Sequence, residues 1–237
     1  MATITILYED NHLLVVDKPA GMLSQKDHTG EDSVIEYAKA YLKEKYNKPG
    51  NVFCAPVHRL DRQVSGIIIM ARTSKAAGRM HGQFYERSVE KYYAAVAHTA
   101  MGQGDDASHA SDWIGLKQKL SRQHDTTLVV ADSAPGDDAE LAYRVIGRDG
   151  VFTFLLVKLI TGKKHQIRAQ LASIGMPIVG DIKYGSQMTL AGGAICLHAC
   201  YARFTHPTQK TEVRVLADIP ARFFDCGDFP RDILSHV

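Results

Sequence analysis

The sequence predicts an α+β fold, with a mainly antiparallel, mixed sheet as its core and a few flanking helices. Short apolar or alternating runs typical of β-strands recur along the whole chain, whereas few segments place apolar residues at helical spacing. The strand and helix segments also lack a steady β-α-β rhythm, which disfavours a parallel, doubly wound sheet.

The first 99 residues are predicted to form strands interrupted by two helices. A helix is expected over residues 31–47, capped by Asp32 or Ser33, because its apolar residues recur every three or four positions. A second is expected over 73–87, with Thr73 or Ser74 as its cap. Strands are expected at residues 3–10, 12–21, 67–71 and 88–99.

The rest of the chain is predicted to be richer in strands. The polar, mixed stretch 100–125 is expected to be a loop excursion. A helix is expected over 161–175, closed by Gly175 as its C-terminal cap. Strands are expected at residues 126–132, 139–148, 151–160, 194–207 and 211–218.

Bulk properties indicate a folded protein of the reducing cytoplasm. A length of 237 residues without an evident linker predicts one domain over 1–237. The formal charge of +2 is too small for a general nucleic-acid coating protein, although a local basic patch remains compatible with it. Four cysteines are too few for a disulfide framework. No run approaches the ~20 apolar residues of a membrane span, so we expect no membrane association.

The segment HRLDRQVSG, residues 58–66, places Asp61 between Arg59 and Arg62, just before an apolar strand. One interpretation is an exposed turn with solvated ion pairs, each worth about 0–1 kcal/mol. The other is a carboxylate nucleophile, kept ionised by nearby guanidinium groups. The motif by itself favours the exposed turn, but its place before a buried strand is typical of a functional loop.

The segment TGKKHQIR, residues 161–168, is a candidate anion site. Lys163, Lys164, His165 and Arg168 are expected to cluster in the first turns of a helix, where backbone N–H groups also attract anions. His165 and Arg168 are expected to share a face, because they are three residues apart. The alternative is a solvated basic helix start.

Two further patterns have both a structural and a functional interpretation. Tyr92 and Tyr93 lie on opposite faces of a predicted strand, so at most one of them should line a given site. Cys196, His198 and Cys200 alternate along another strand and could bind zinc, but no fourth ligand is evident. Buried cysteines in a core strand are more common, and no metal is expected.

Taken in order, these motifs resemble those of the RluA-type pseudouridine synthases. HRLDRQVSG is similar to the family motif H-R-L-D-x-x-T-S-G, and KYYAA to K-x-Y-x-A, which selects Tyr93. LITGKKHQIR and GMPIVGDIKYG resemble T-G-R-x-H-Q-I-R and G-x-P-x-x-G-D-x-x-Y-G, and CLHACYARFTHP resembles L-H-A…F-x-H-P. LLVVDKPAG resembles the opening strand and K-P-x-G turn. Val64 and Lys163 depart from the usual Thr and Arg.

The resemblance implies a pseudouridine-synthase-like catalytic domain that isomerises uridines of structured RNA. It implies that Asp61 is the nucleophile, that Tyr93 packs on the target base, and that Arg168 pairs with the catalytic aspartate. Arg59 resembles the arginine that enters the RNA stack as the uridine flips out. The residues expected to contact RNA are Arg59, Arg62, Lys163, Lys164 and His165.

The resemblance also implies which cofactors and partners to expect. An isomerisation without net redox change or hydrolysis requires neither cofactor nor metal. The expected partner is a stem-loop of tRNA or rRNA, bound by a monomer, and no RNA-binding accessory domain is expected before the catalytic domain. The alternative is a non-catalytic RNA-binding protein or RNA folding helper on the same scaffold.

Overall fold

The computed structural model describes residues 4–26, 30–98, 112–230 and 232. Its contacts group the chain into two compact units. The first unit comprises the described residues up to Val89 together with Tyr201–Ala217, and the second comprises those of Glu90–Cys200 and from Asp218 onward. The expectation of one domain over 1–237 stays a prediction.

The described elements are mostly strands. The helices are α1 (Val34–Lys45), α2 (Ser74–Tyr85) and α3 (Gln166–Ser173). The strands are β1 (Thr5–Glu9), β2 (Leu13–Lys18), β3 (Ala55–Pro56), β4 (Ser65–Ala71), β5 (Glu90–His98), β6 (Ile114–Gln123), β7 (Thr126–Val130), β8 (Asp137–Asp149), β9 (Phe152–Leu159), β10 (Leu197–Thr205) and β11 (Glu212–Leu216).

The apolar runs of β2 and β4 form the core of the sheet in the first unit and are buried on both faces. The antiparallel order is β1-β2-β4, and the short β3 also pairs with β4. The residues Leu13–Val16 of β2 and Ile67–Ala71 of β4 are at most 2% exposed. Such continuous apolar runs are typical of strands covered on both sides. The part of β10 from Tyr201 onward pairs antiparallel with β11.

The two helices of the first unit begin at side-chain caps. The Ser33 hydroxyl accepts a hydrogen bond from the Glu36 N–H in α1, and the Thr73 hydroxyl accepts one from the Ala76 N–H in α2. These caps satisfy N–H groups that have no partner inside the helix. Each helix buries a small apolar face, and that of α2 packs on β3 and β4.

The second unit contains an antiparallel sheet with α3 against one end. Its strand order is β5-β9-β8-β6-β7. The helix α3 contacts β6 and β7, and Ala169 packs with Leu120 and Ala139. Beyond α3, Gly175 adopts φ +78° and its N–H donates to the Ala172 carbonyl. The predicted C-terminal glycine cap is therefore confirmed.

Two expectations from the sequence are wrong. Residues 114–123 of the expected loop form β6, because Leu116, Gln118 and Leu120 face inward while lysines alternate with them; residues 99–111 lie outside the described part. The helix expected from 161 begins only at Gln166, so His165 is not in its first turn. The remaining predicted strands and helices are present with shifts at their ends, and the α+β class is confirmed.

None of the helices in the described part of the chain combines the length and the apolar character that crossing a membrane requires.

Candidate active site

Asp61 lies in a loop of the first unit that joins β3 to β4. Pro56 pairs with Met70, and the Val57 N–H donates to the Ile69 carbonyl, so the two strands fix both ends of the loop. The Asp61 side chain is half-buried, and its carbonyl accepts a hydrogen bond from the Val64 N–H at 3.1 Å. The loop therefore presents a carboxylate from a turn anchored on a buried strand, as the functional interpretation of the motif requires.

The backbone just before Asp61 is held by a buried serine. The Ser24 hydroxyl donates to the Leu60 carbonyl at 2.7 Å and accepts from the Leu60 N–H at 3.0 Å. Ser24 is 6% exposed and Leu60 is 7% exposed. Both backbone groups of Leu60 thus find their partner in one side chain, as buried backbone polar groups must.

The backbone just after Asp61 is held by the turn that follows β2. The Arg62 carbonyl accepts from the Gly21 N–H at 2.8 Å and from Lys18 Nζ at 3.2 Å. Lys18 is fully buried and also donates to the carbonyls of Pro19 and Met22, both at 2.9 Å. Three carbonyl partners offset the cost of burying an ammonium group. This role of Lys18 was not predicted from the sequence.

His58, at the start of the loop, has a structural environment. Its Nε2 accepts the N–H of Ile69, and its ring stacks on Phe84 with centroids 5.1 Å apart. These contacts fix the loop to β4 and α2 and give His58 a structural, hydrogen-bonding environment.

The two arginines of the motif have different environments. Arg59 is exposed. Arg62 is also exposed, but its Nε donates to the Gly21 carbonyl and its two terminal nitrogens bind the Glu31 carboxylate at 3.0 and 2.6 Å. The Arg62–Glu31 pair leaves both side chains about half exposed, at 49% and 47%, so it adds little stability and can exchange for other anions.

Tyr92 and Tyr93 lie on opposite faces of β5, as predicted. Tyr92 packs against Trp113, and Lys158 Nζ lies 5.5 Å from the centre of its ring, which is a structural environment. Tyr93, 6% exposed, shares its face with Lys91. Burial lowers the pKa of the Lys91 ammonium to about 8. This face of β5 therefore carries a phenol and a perturbed amine two residues apart, a combination frequent at functional sites.

The turn before α3 is shaped by the side chain of Gln166. Its Oε1 accepts from the Thr161 hydroxyl at 2.8 Å and from the Lys163 N–H at 3.0 Å. Its Nε2 donates to the Glu140 carbonyl and to Gln170 Oε1. The turn is therefore closed by a buried amide rather than by a helical turn, which explains why α3 begins late.

His165 has the least common backbone conformation of this segment. It adopts φ 53° and ψ 21° and forms no side-chain cap for α3. Its Nδ1 lies 2.9 Å from the hydroxyl of Tyr184, which also accepts the Thr127 N–H at 2.9 Å. A left-handed backbone costs about 1–2 kcal/mol for a residue with a Cβ atom, so surrounding contacts must maintain it.

Arg168 forms a buried, bidentate ion pair with Asp181. Its Nε and Nη2 donate to the two carboxylate oxygens at 2.6 and 2.8 Å, with side-chain exposures of 3% and 0%. Its guanidinium also lies 4.9 Å from the centre of the Tyr184 ring. Because a guanidinium has five N–H donors, this geometry permits a second acceptor. The pairing of Arg168 with the catalytic aspartate, which the resemblance implies, stays a prediction.

The predicted cations of the turn are half-buried. Lys163 Nζ lies 3.1 Å from the Asp137 carboxylate, in a pair whose side chains are 37% and 69% exposed. Lys164 is also half-buried. The exposure of the Lys163–Asp137 pair means that an incoming phosphate could replace the carboxylate at little cost.

The two thiols of the Cys196, His198 and Cys200 triplet have backbone hydrogen-bond partners. Both thiols are fully buried, with Cys200 Sγ donating to the Tyr92 carbonyl and Cys196 Sγ to that of Arg222. Over residues 4–26, 30–98, 112–230 and 232, no group of three or more His, Cys, Asp or Glu side chains could hold a metal ion.

The structure adds four residues to which the sequence analysis gave no role: Lys18, Ser24, Asp181 and Tyr184. All four hold a predicted site residue or the backbone beside one. The resembling segments contain Lys18 in K-P-x-G and Asp181 and Tyr184 in G-D-x-x-Y-G, but spacing alone does not reveal their partners. Ser24 lies outside the quoted motifs, so only the fold reveals it.

Comparisons with known proteins identify relatives over most of the chain. Residues 12–173 match the family profile described as RNA pseudouridylate synthase. The chain is 33% identical over 230 residues to the ribosomal large subunit pseudouridine synthase D of Xanthomonas campestris, covering 92% of this chain and 66% of that protein. The chain thus spans just under two thirds of that relative.

A shorter relative is covered more completely. The dual-specificity RNA pseudouridine synthase RluA of Haemophilus influenzae is 32% identical over 209 residues, which are 86% of this chain and 88% of that one. The solved structure of human RNA pseudouridylate synthase domain containing 4 superposes with a TM-score of 0.72 at 20% identity, covering 92% of this chain and 90% of that one. At this identity the superposition supports the fold alone.

Proposed function

The chain belongs to the RNA pseudouridylate synthase family, and from this membership we propose that it isomerises uridines of structured RNA to pseudouridine. In this reaction the C1′–N1 bond breaks, the uracil rotates, and C5 bonds to C1′. The proton on C5 is released and N1 gains one, so the atoms balance without any co-reactant.

The observation that carries the proposal is the anchored loop backbone that carries Asp61. The residue lies inside the matched segment 12–173, and the backbone groups of its neighbours Leu60 and Arg62 are held by hydrogen bonds from Lys18, Gly21 and Ser24. A nucleophile held in one geometry needs less ordering when substrate binds. Attack at C1′, attack at C6 and a route through a glycal all use this carboxylate.

The remaining catalytic assignments rest on the family resemblance. We assign Tyr93 to packing on the target base, supported by its place on a buried strand face that also carries Lys91. We assign Arg168 to keeping the catalytic carboxylate ionised, supported by a guanidinium that Asp181 holds in one orientation. A fixed positive charge favours the ionised form of a carboxylate and so lowers its pKa.

Access to the uridine requires base flipping, because C1′ and C5 cannot be rearranged within a stacked helix. We assign Arg59 to occupying the vacated stack, which its exposure allows. Arg62, Lys163, Lys164 and His165 are assigned to contacts with RNA. The exposed pairs of Arg62 with Glu31 and of Lys163 with Asp137 support this, because RNA phosphates can replace exposed carboxylates.

The substrate class proposed is a stem-loop of tRNA or rRNA, in which an unpaired uridine costs less to unstack. The names of the relatives, one acting on the large ribosomal subunit and one of dual specificity, support this breadth. We further propose that the protein acts in the cytoplasm as a monomer.

The test is tritium release from RNA carrying 5-tritiated uridine, because pseudouridine formation expels the hydrogen at C5. Unmodified tRNA and rRNA fragments are assayed separately, with Asp61→Asn as the control. Release that depends on Asp61 is expected from at least one pool. Tight RNA binding without release from either pool would instead support a non-catalytic RNA-binding protein.

A further inference from the structure

We propose that Ser24 is a positioning residue, which sets the direction of the Asp61 carboxylate through the peptide group of Leu60. The inference rests on the proposed function, in which Asp61 is the nucleophile. Ser24 itself is assigned no contact with RNA and no part in bond making or breaking.

A single side chain, that of Ser24, forms two hydrogen bonds with the backbone of a single residue, Leu60. The Ser24 hydroxyl donates to the Leu60 carbonyl at 2.7 Å and accepts from the Leu60 N–H at 3.0 Å, across 36 positions of sequence. The Leu60 carbonyl belongs to the same planar peptide unit as the Asp61 nitrogen. Fixing the direction of this carbonyl therefore fixes the plane from which the Cα of Asp61 departs.

The backbone next to Ser24 is itself held by contacts with the start of α1, so the position of the Ser24 hydroxyl is fixed. The Leu23 carbonyl accepts the N–H of Val34 at 2.9 Å, and Leu23 pairs with Ser33 at the start of α1. The hydroxyl therefore projects from backbone held at the beginning of a helix. Because Ser24 is only 6% exposed, bulk water does not compete freely for the Leu60 groups.

The backbone that follows Asp61 in sequence is held by other hydrogen bonds. The Arg62 carbonyl accepts from Gly21 and Lys18, and the Asp61 carbonyl accepts from Val64. Those bonds remain in a Ser24 variant, so the loop should keep its overall path while the Leu60–Asp61 peptide gains freedom. A displacement of about 1 Å in a reacting group can lower a rate by about a hundredfold.

The test compares Ser24→Ala, Ser24→Thr and the matched control Ser33→Ala. Ser33 is also a buried serine of the first unit, at 1% exposure, but its hydroxyl caps α1. Ser24→Ala is expected to lower kcat for 5-tritiated RNA by about tenfold to a hundredfold while KM stays within about twofold. Ser24→Thr, which keeps the hydroxyl, should recover most of the rate.

A second measurement does not depend on turnover. Hydrogen exchange at the Leu60 amide should accelerate at least about tenfold in Ser24→Ala and remain unchanged in Ser33→Ala. A kcat of Ser24→Ala close to wild type, or a lowering matched by Ser33→Ala, would overturn the proposal. An unchanged Leu60 exchange rate would also overturn it.

If the proposed function is wrong, the experiment gives a different result from the one expected if only the role of Ser24 is wrong. In that case the wild-type protein itself would release no tritium from either RNA pool. The exchange rate of the Leu60 amide would still decide whether Ser24 holds the peptide before Asp61.

Discussion

Replacing Asp181 with Asn is expected to destabilise the protein strongly, because the change removes one charge from a buried pair. The Arg168 and Asp181 side chains are 3% and 0% exposed and are joined by bonds of 2.6 and 2.8 Å. Removing one partner of such a pair typically costs about 3–5 kcal/mol, since the other charge stays buried without compensation. Asn can still accept one bond from the guanidinium, which favours the lower end of this range.

The expected cost translates into a large thermal shift. For a chain of this length, each kcal/mol lowers Tm by about 2–4 °C, so Asp181→Asn should lower Tm by about 6–20 °C. Differential scanning calorimetry and urea unfolding measure the effect independently. Turnover at 25 °C should also fall, because Arg168 loses the second acceptor oxygen and the negative charge of the bidentate pair that orients it.

The matched control is Glu212→Gln, at an exposed acid that pairs with Arg203 and Arg214. The side chains of this cluster are 38–64% exposed, so its loss should cost at most about 1 kcal/mol. A Tm shift for Asp181→Asn no larger than that of the control would refute the argument that burial makes this pair important.

Arg168→Ala should lower both stability and activity, because it leaves the buried Asp181 carboxylate without its partner.

Three further outcomes are expected. Asp61→Asn should reduce tritium release to background while Tm changes by less than about 2 °C, because the side chain is only half-buried. Burial raises the pKa of the Asp10 carboxyl, but two backbone N–H groups and the His206 ring lower it more, so the pKa lies below that of an ordinary aspartate. Asp10→Asn should therefore destabilise the protein at neutral pH, with a difference in unfolding free energy that shrinks as pH falls below about 4. Gly180→Ala should cost at least about 2 kcal/mol in urea unfolding, because φ is +89° and a Cβ would lie 2.6 Å from the Ala194 carbonyl oxygen.

Each of these outcomes has a clear contradiction. Turnover near wild type in Asp61→Asn would remove the nucleophile assignment. If the difference in unfolding free energy between Asp10→Asn and wild type stays constant down to pH 2, the charge of the Asp10 carboxylate does not stabilise its contact with His206. Wild-type stability in Gly180→Ala would show that the backbone relaxes at this turn.

Local patterns predicted the parts of the fold that local physics decides. The apolar runs of β2 and β4 could be assigned because strands buried on both faces have this composition. The caps of α1 and α2 were each narrowed to two neighbouring residues, and Ser33 and Thr73 proved to be the caps. Strand β6 was missed because its lysines and glutamines are typical of a loop, while its pairing with β8 is non-local.

The site was predictable where a motif is continuous, and not where partners are distant. HRLDRQVSG located Asp61, but the hydroxyl that holds Leu60 comes from 36 residues earlier. Arg168 was singled out, yet its partner Asp181 lies in a turn 13 residues later. His165 was expected to lie in the first turns of α3, but it precedes the helix. The preceding turn is closed by the Gln166 side chain and not by a helical backbone hydrogen bond.

The division of the chain has a consequence for synthesis on the ribosome. The first unit is discontinuous in sequence: its N-terminal part is completed by Tyr201–Ala217, which the ribosome makes only after most of the second unit. The His206 ring bonds the Asp10 carboxylate at 2.7 Å, and Gln83 bonds the backbone of Thr205. The antiparallel sheet of β5 to β9 can thus form during translation, whereas the first unit is complete only once Tyr201–Ala217 has been made. A nascent chain stalled before residue 200 would carry Asp61, the proposed nucleophile, on a first unit that still lacks Tyr201–Ala217.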